Sequence, residues 1–199
     1  MMRHSHAVAL WAGLAMLGCG DVIVNSIDGG SPQSDSGSSD AQRDADAVDS
    51  HRVFISAQIF PGALGGLTGA DALCSEYAAK AGLPGRWMAL LTDSKSSLKD
   101  RIQILGPVYT MAGTLVVADA AEFATGDARN RNTLTELNTL ALDATVWVGD
   151  LAKNCKDWTS ADPGLQGETA DATDLAGWLT SDGDDSCDDL YSLQCISQL

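Results

Sequence analysis

The chain has 199 residues, 45% of them hydrophobic, with 27 acidic against 12 basic residues and a net charge of −15. That is enough apolar material for the core of one globular domain. So acidic a surface repels phosphate and sulfate backbones, which excludes nucleic acid and heparin-like polyanions as partners.

Residues 1–6 are polar, with Arg3 as a basic start, and residues 7–17 form an apolar run. The run is too short to span a bilayer and has the form of a signal-peptide core. It ends in Met16-Leu17-Gly18-Cys19. This resembles the bacterial lipobox, in which a small residue precedes a cysteine that is lipidated and becomes the new N-terminus; Met16 stands where Leu is usual. The resemblance implies a membrane anchor at Cys19. It places the protein in the cell envelope, at the outer membrane or surface of a Gram-negative bacterium. Residues 19–52 hold the anchor and a tether. From 21 to 52 there are seven Ser, seven Asp and no aromatic residue, a composition that cannot offset its chain entropy by burial.

The domain is expected over residues 53–199. Val53-Phe54-Ile55 and Ile59-Phe60 indicate a strand interrupted by small polar residues. Thr68 is a helix N-cap candidate with Asp71 near the positive helix end. Ala70, Leu73, Cys74, Tyr77, Ala78 and Ala81 share one face at helical spacing, and Gly82 and Pro84 stop the helix. Residues 87–91 form a short strand. Residues 94–102 form a small helix capped by Asp93 or Ser94. Ala112-Gly113 turns a hairpin between 107–111 and 114–117. Residues 118–142 carry weak periodicity and one short helix. Val146-Trp147-Val148 is a buried strand by composition, residues 159–186 are a polar loop, and 191–196 are the closing strand.

Five cysteines occur, at 19, 74, 155, 187 and 195. An acylated Cys19 leaves four, which allow three pairings.

Gly65-Gly66-Leu67-x-Gly69-Ala70-Asp71-x-x-Cys74, then Ala79-x-x-Gly82-Leu83-x-Gly85 and Ala89-Leu90-Leu91, resembles the opening of the endostatin domain of basement-membrane collagens. The second half is similar too: Val146-Trp147-x-Gly149, Cys155-x-x-Trp158, and Cys187 followed by Tyr191 and Leu193-x-Cys195-Ile196. The chain also resembles an uncharacterised family of bacterial lipoproteins with this C-type-lectin-like fold. The resemblance implies an α+β domain with a mostly antiparallel twisted sheet, two short helices and long loops. It also implies that the first cysteine pairs with the fourth and the second with the third, giving Cys74–Cys195 and Cys155–Cys187.

The functional residues of these families are not matched. Endostatin-type zinc binding needs several histidines; the chain has His4, His6 and His51, and two of them lie in the signal segment. Arg86, Arg101, Arg129 and Arg131 are too few for a heparin face. Trp178-Leu179-Thr180 keeps only the tryptophan of the lectin calcium motif. The acidic run offers Asp182, Asp184, Asp185, Asp188 and Asp189 to calcium, but a solvated loop is favoured, since Gly183 and Leu193 break the EF-hand pattern. Trp147, Trp158 and Trp178 offer a sugar-stacking platform, but such residues are more often core, and Trp147 in its apolar strand is core. Glu76, Glu122, Glu136 and Glu168 are the carboxylates available to an acid/base pair. No catalytic residue, cofactor or metal ligand is assigned. The expectation is a non-catalytic envelope module that binds a protein or glycan through its loops. The alternatives are a carboxylate hydrolase of an envelope polymer and a structural surface protein without a ligand.

Overall fold

The structure, a computed structural model, describes residues 50–180 and 182–199. The signal peptide, Cys19, His4, His6 and most of the tether lie outside those residues.

The fold is α+β, with one mixed, open, eight-stranded sheet. The strands are β1 (His51–Phe60), β2 (Arg86–Ala89), β3 (Val108–Thr110), β4 (Leu115–Val117), β5 (Thr145–Trp147), β6 (Gln166–Asp171), β7 (Gly183–Ser186) and β8 (Tyr191–Gln198). Their order is β4-β3-β1-β8-β5-β6-β7, and β2 also pairs with β8. The β1–β3 and β5–β8 pairs are parallel and the other five antiparallel. β8 is the hub. It meets β1 along one side, and β2 and β5 end to end along the other. Period-two alternation sends Leu193 and Cys195 to one face and Ile196 to the other, where separate apolar clusters receive them.

The first face is covered by α1 (Gly66–Lys80). Ala70, Cys74 and Ala78 are its buried stripe, with Leu73 and Tyr77 packed at the margin, the face expected from the helical spacing. Its start differs from the expectation. Gly65, at φ 83°, is the N-cap rather than Thr68. Two consecutive glycines that tolerate the left-handed region let the helix begin earlier. Asp71 therefore sits beyond the first turn. It accepts from Ala89 N at 2.9 Å and pairs with Arg101 at 2.8 Å, so it ties the helix to β2 and α2.

The second face is covered by α2 (Leu98–Arg101), α3 (Ala120–Thr125) and the connections around them. α2 is a single turn capped by Ser97 in a reciprocal capping box with Asp100. Asp93, expected as a cap, instead accepts from Lys95 N and Ser96 N in a local turn. α3 is the one short helix expected within 118–142, capped by Asp119. The hairpin turns at Gly113, whose φ is 84°.

Two disulfides, Cys74–Cys195 and Cys155–Cys187, form the pairing that the resemblance implies. The first joins α1 to the hub strand. The second closes the base of residues 155–187. That segment is not the free polar loop expected. It contains β6 and β7, and buries Ala170, Ala172 and Trp178 completely. The strand signal is weak because β6 reads Gln-Gly-Glu-Thr-Ala-Asp and β7 Gly-Asp-Asp-Ser, mostly residue types depleted in strands. Pairing with β5 overrides those propensities in β6.

Candidate functional site

Cys155 to Trp158 form one turn of left-handed helix, with φ of 49°, 57°, 56° and 60°. No residue of the four is glycine, and each costs about 1–2 kcal/mol in this region. The surroundings hold the turn in place. Asn154 Oδ1 accepts from Asp157 N at 2.8 Å, while its Nδ2 donates to Asp150 O at 2.9 Å. Cys155 is bonded to Cys187. Trp158 is fully buried, donates from Nε1 to Thr92 O at 2.8 Å, and meets Trp147 edge-on at 5.7 Å. Gly62 and Gly167 make room for the Cys155 sulfur. A Cβ on them would stand 2.3 and 2.7 Å from it.

Beside this turn lies an open cavity of about 530 Å³. Lys153, Asn154 and Lys156 form one wall, and residues 163–166 the other. The adjoining end of the β5–β6–β7 sheet gathers three carboxylates. Glu168 and Asp184 are cross-strand partners, and Lys153 pairs with Asp184. Asp150 caps the 150–153 turn by accepting from Ala152 N at 2.6 Å and from Lys153 N. Glu168 and Asp150 lie close enough to act on each other's charge, and their proton affinities are driven apart. Asp150 is held below the usual carboxylate range, chiefly by the Lys153 backbone N–H. Glu168 is pushed up, chiefly by burial and then by the Asp150 and Asp184 charges. Composition had marked Glu168, but not Asp150 or Lys153. The three meet through the strand register of β6, which the sequence hides.

The other expected carboxylates stay apart. Glu76 pairs with Lys80, Glu122 with Arg129, and Glu136, 6% exposed, accepts from Ala57 N. The tryptophans form no exposed stacking platform. Trp147, Trp158 and Trp178 are the three largest fully buried side chains. The acidic run diverges rather than converging. Asp184 turns to Lys153, Asp185 accepts from Thr169 Oγ1 at 2.7 Å, and Asp188 accepts from Ser186 Oγ at 2.5 Å. Among the described residues no group of three His, Cys, Asp or Glu side chains is placed to hold a metal ion. His51 is fully buried; Leu105 N donates to Nε2 at 3.1 Å, so Nδ1–H faces Ser197 O at 2.7 Å. Arg101 is spent on Asp71 and two backbone carbonyls, and Arg129 on Glu122.

No protein-family model matches the chain, and no curated protein matches it in sequence.

Proposed function

We propose that this is a lipid-anchored cell-envelope protein whose domain, of C-type-lectin-like (endostatin-like) fold, binds a protein or glycan without catalysis. The observation that carries the binding reading is the left-handed turn at the cavity wall. Four strained residues persist only where their surroundings over-determine them, and such strain collects at ligand sites. The two disulfides support an oxidising, extracytoplasmic compartment. The lipobox-like Met16-Leu17-Gly18-Cys19 supports the anchor. Lys156 and Gln166, both exposed on the cavity walls, are the contact residues.

The test is a glycan array and an envelope pull-down with wild type and Lys156→Ala/Gln166→Ala. Binding lost in the variant at unchanged melting temperature is expected; equal binding by both proteins overturns the site. For the anchor, Cys19→Ala is expected to abolish fatty-acid labelling and release the protein from membranes. Unchanged labelling would sink that half of the reading.

The Asp150–Glu168 pair favours a second reading, a hydrolase of an envelope polymer. Two neighbouring carboxyls whose proton affinities are pushed in opposite directions are the starting point for a division of labour between acid and base. Their close approach weighs against a glycosidase, whose carboxyls stand about 5 Å or more apart to admit substrate. Polymer release by wild type and its loss in Glu168→Gln would favour the enzyme.

A further inference from the structure

At the far end of β1 from His51, the pairing with β8 shifts register between Ile55 and Ile59. Shifts of this kind re-aim side chains near functional surfaces. Here Ala57, Gln58 and Ile59 are all exposed. Ile59 is 40% exposed, Leu190 52%, and Leu142 fully so. The three converge on a cavity of about 180 Å³ whose floor is Ser56 and Ser192. The loop that carries Leu142 also exposes Leu137 and Leu140. Scattered surface leucines are ordinary, but apolar side chains gathered around a common depression are the usual mark of a docking surface.

The rim is acidic. Asp143 lines the cavity itself, and no lining residue is basic. Asp189, which precedes Leu190 in the chain, is exposed beside it. Two carboxylates thus stand beside the apolar side chains. This argues against two candidate occupants. A second copy docked through the same patch would set Asp143 and Asp189 against their own counterparts. The chain's own residues 19–49 carry seven Asp and one Arg, so they bear the same sign. An apolar centre with an acidic rim is complementary to the opposite pattern.

We propose that the Ile59–Leu142–Leu190 patch docks a basic segment of another protein, inserting an aliphatic or aromatic side chain between the leucines and setting Lys or Arg against Asp143 and Asp189. This surface is separate from the cavity at Lys156, so either can fail without the other.

The experiment titrates the full chain with three short fluorescent peptides, Lys/Leu, Lys/Ser and Glu/Leu. The Lys/Leu peptide is expected to bind about tenfold tighter than either of the others, a difference of about 1.4 kcal/mol. Leu142→Ser/Leu190→Ser should remove that advantage. So should Asp143→Asn/Asp189→Asn, which leaves the apolar surface in place and decides the matter should the leucine pair fold poorly. Leu151→Ser/Leu175→Ser removes exposed leucines elsewhere and should change nothing. Equal losses in the control pair, or none in the aspartate pair, would overturn the proposal. So would sedimentation with phosphatidylglycerol vesicles that depends on Leu142 and Leu190, which would make the patch a membrane contact. Concentration-dependent dimerisation abolished by the leucine pair would overturn it as well.

Discussion

Lys156 is exposed and sits at φ 57°, ψ 58°, a conformation in which its Cβ is the source of the strain. Lys156→Gly removes that Cβ and is expected to stabilise the domain by about 1 kcal/mol in chemical denaturation, even after the extra chain entropy of glycine. The opposite sign is expected at Gly167. A Cβ there would lie 2.7 Å from the Cys155 sulfur and 2.9 Å from the Trp147 ring, and overpacking of this kind costs about 1–3 kcal/mol. A Gly167→Ala variant as stable as wild type would mean that the Cys155 pocket is looser than the contacts indicate. Tyr191 offers a pH readout. Its phenol is pushed up to about 12, first by burial and then by the Asp185 charge and hydrogen bond. The folded state holds this proton more tightly than the unfolded chain, whose phenol titrates near 10. The stability it supplies is therefore present below about pH 10 and is lost as pH rises through about 12. Ultraviolet difference titration should show one tyrosine ionising near 12, and Asp185→Asn should lower that midpoint.

Among the elements, the Cys155–Cys187 bridge has the clearest consequence, because it fastens the strained turn to the end of β7. Its sequence separation of 32 corresponds to about 4 kcal/mol in the chain-entropy account. Cys155→Ala/Cys187→Ala should lose about that much in denaturant midpoint, and hydrogen exchange should quicken first in β6 and β7. Uniform loss across the sheet would mean that the bridge acts only on the unfolded chain. α1 was legible because helical spacing repeats over Ala70, Cys74 and Ala78, and the hairpin because Gly113 punctuates it. β6 and β7 were not. Their side chains are polar, and their strand character comes from partners distant in sequence. The same gap hid the functional geometry. Glu168 is just one carboxylate among several until the β5–β6 pairing brings it beside Asp150. The tryptophans are core, the reading their residue type favoured, although an aromatic ring by itself carries no local sign of which way it faces.

For the molecule as a whole, the two bridges and the hub strand bind the same pieces together. Cys74–Cys195 spans 121 residues, worth about 5 kcal/mol in the same account. Reduction should therefore lower the melting temperature well beyond the effect of losing Cys155–Cys187 alone. Non-reducing peptide maps should recover the two bridges and no third pairing among the domain cysteines. Equal melting temperatures with and without reductant would show that the apolar clusters alone suffice.

β8, which joins both halves of the sheet, is also the last of the eight strands in chain order. During synthesis β1 and β5 emerge and wait, since each needs β8 beside it. The sheet cannot close until nearly the whole domain has left the ribosome, and high sequence separation makes closure slow even then. A chain with its keystone placed so late remains threadable for as long as it is being made. That delay leaves the edges of β1 and β5 without their β8 partner until the final strand arrives.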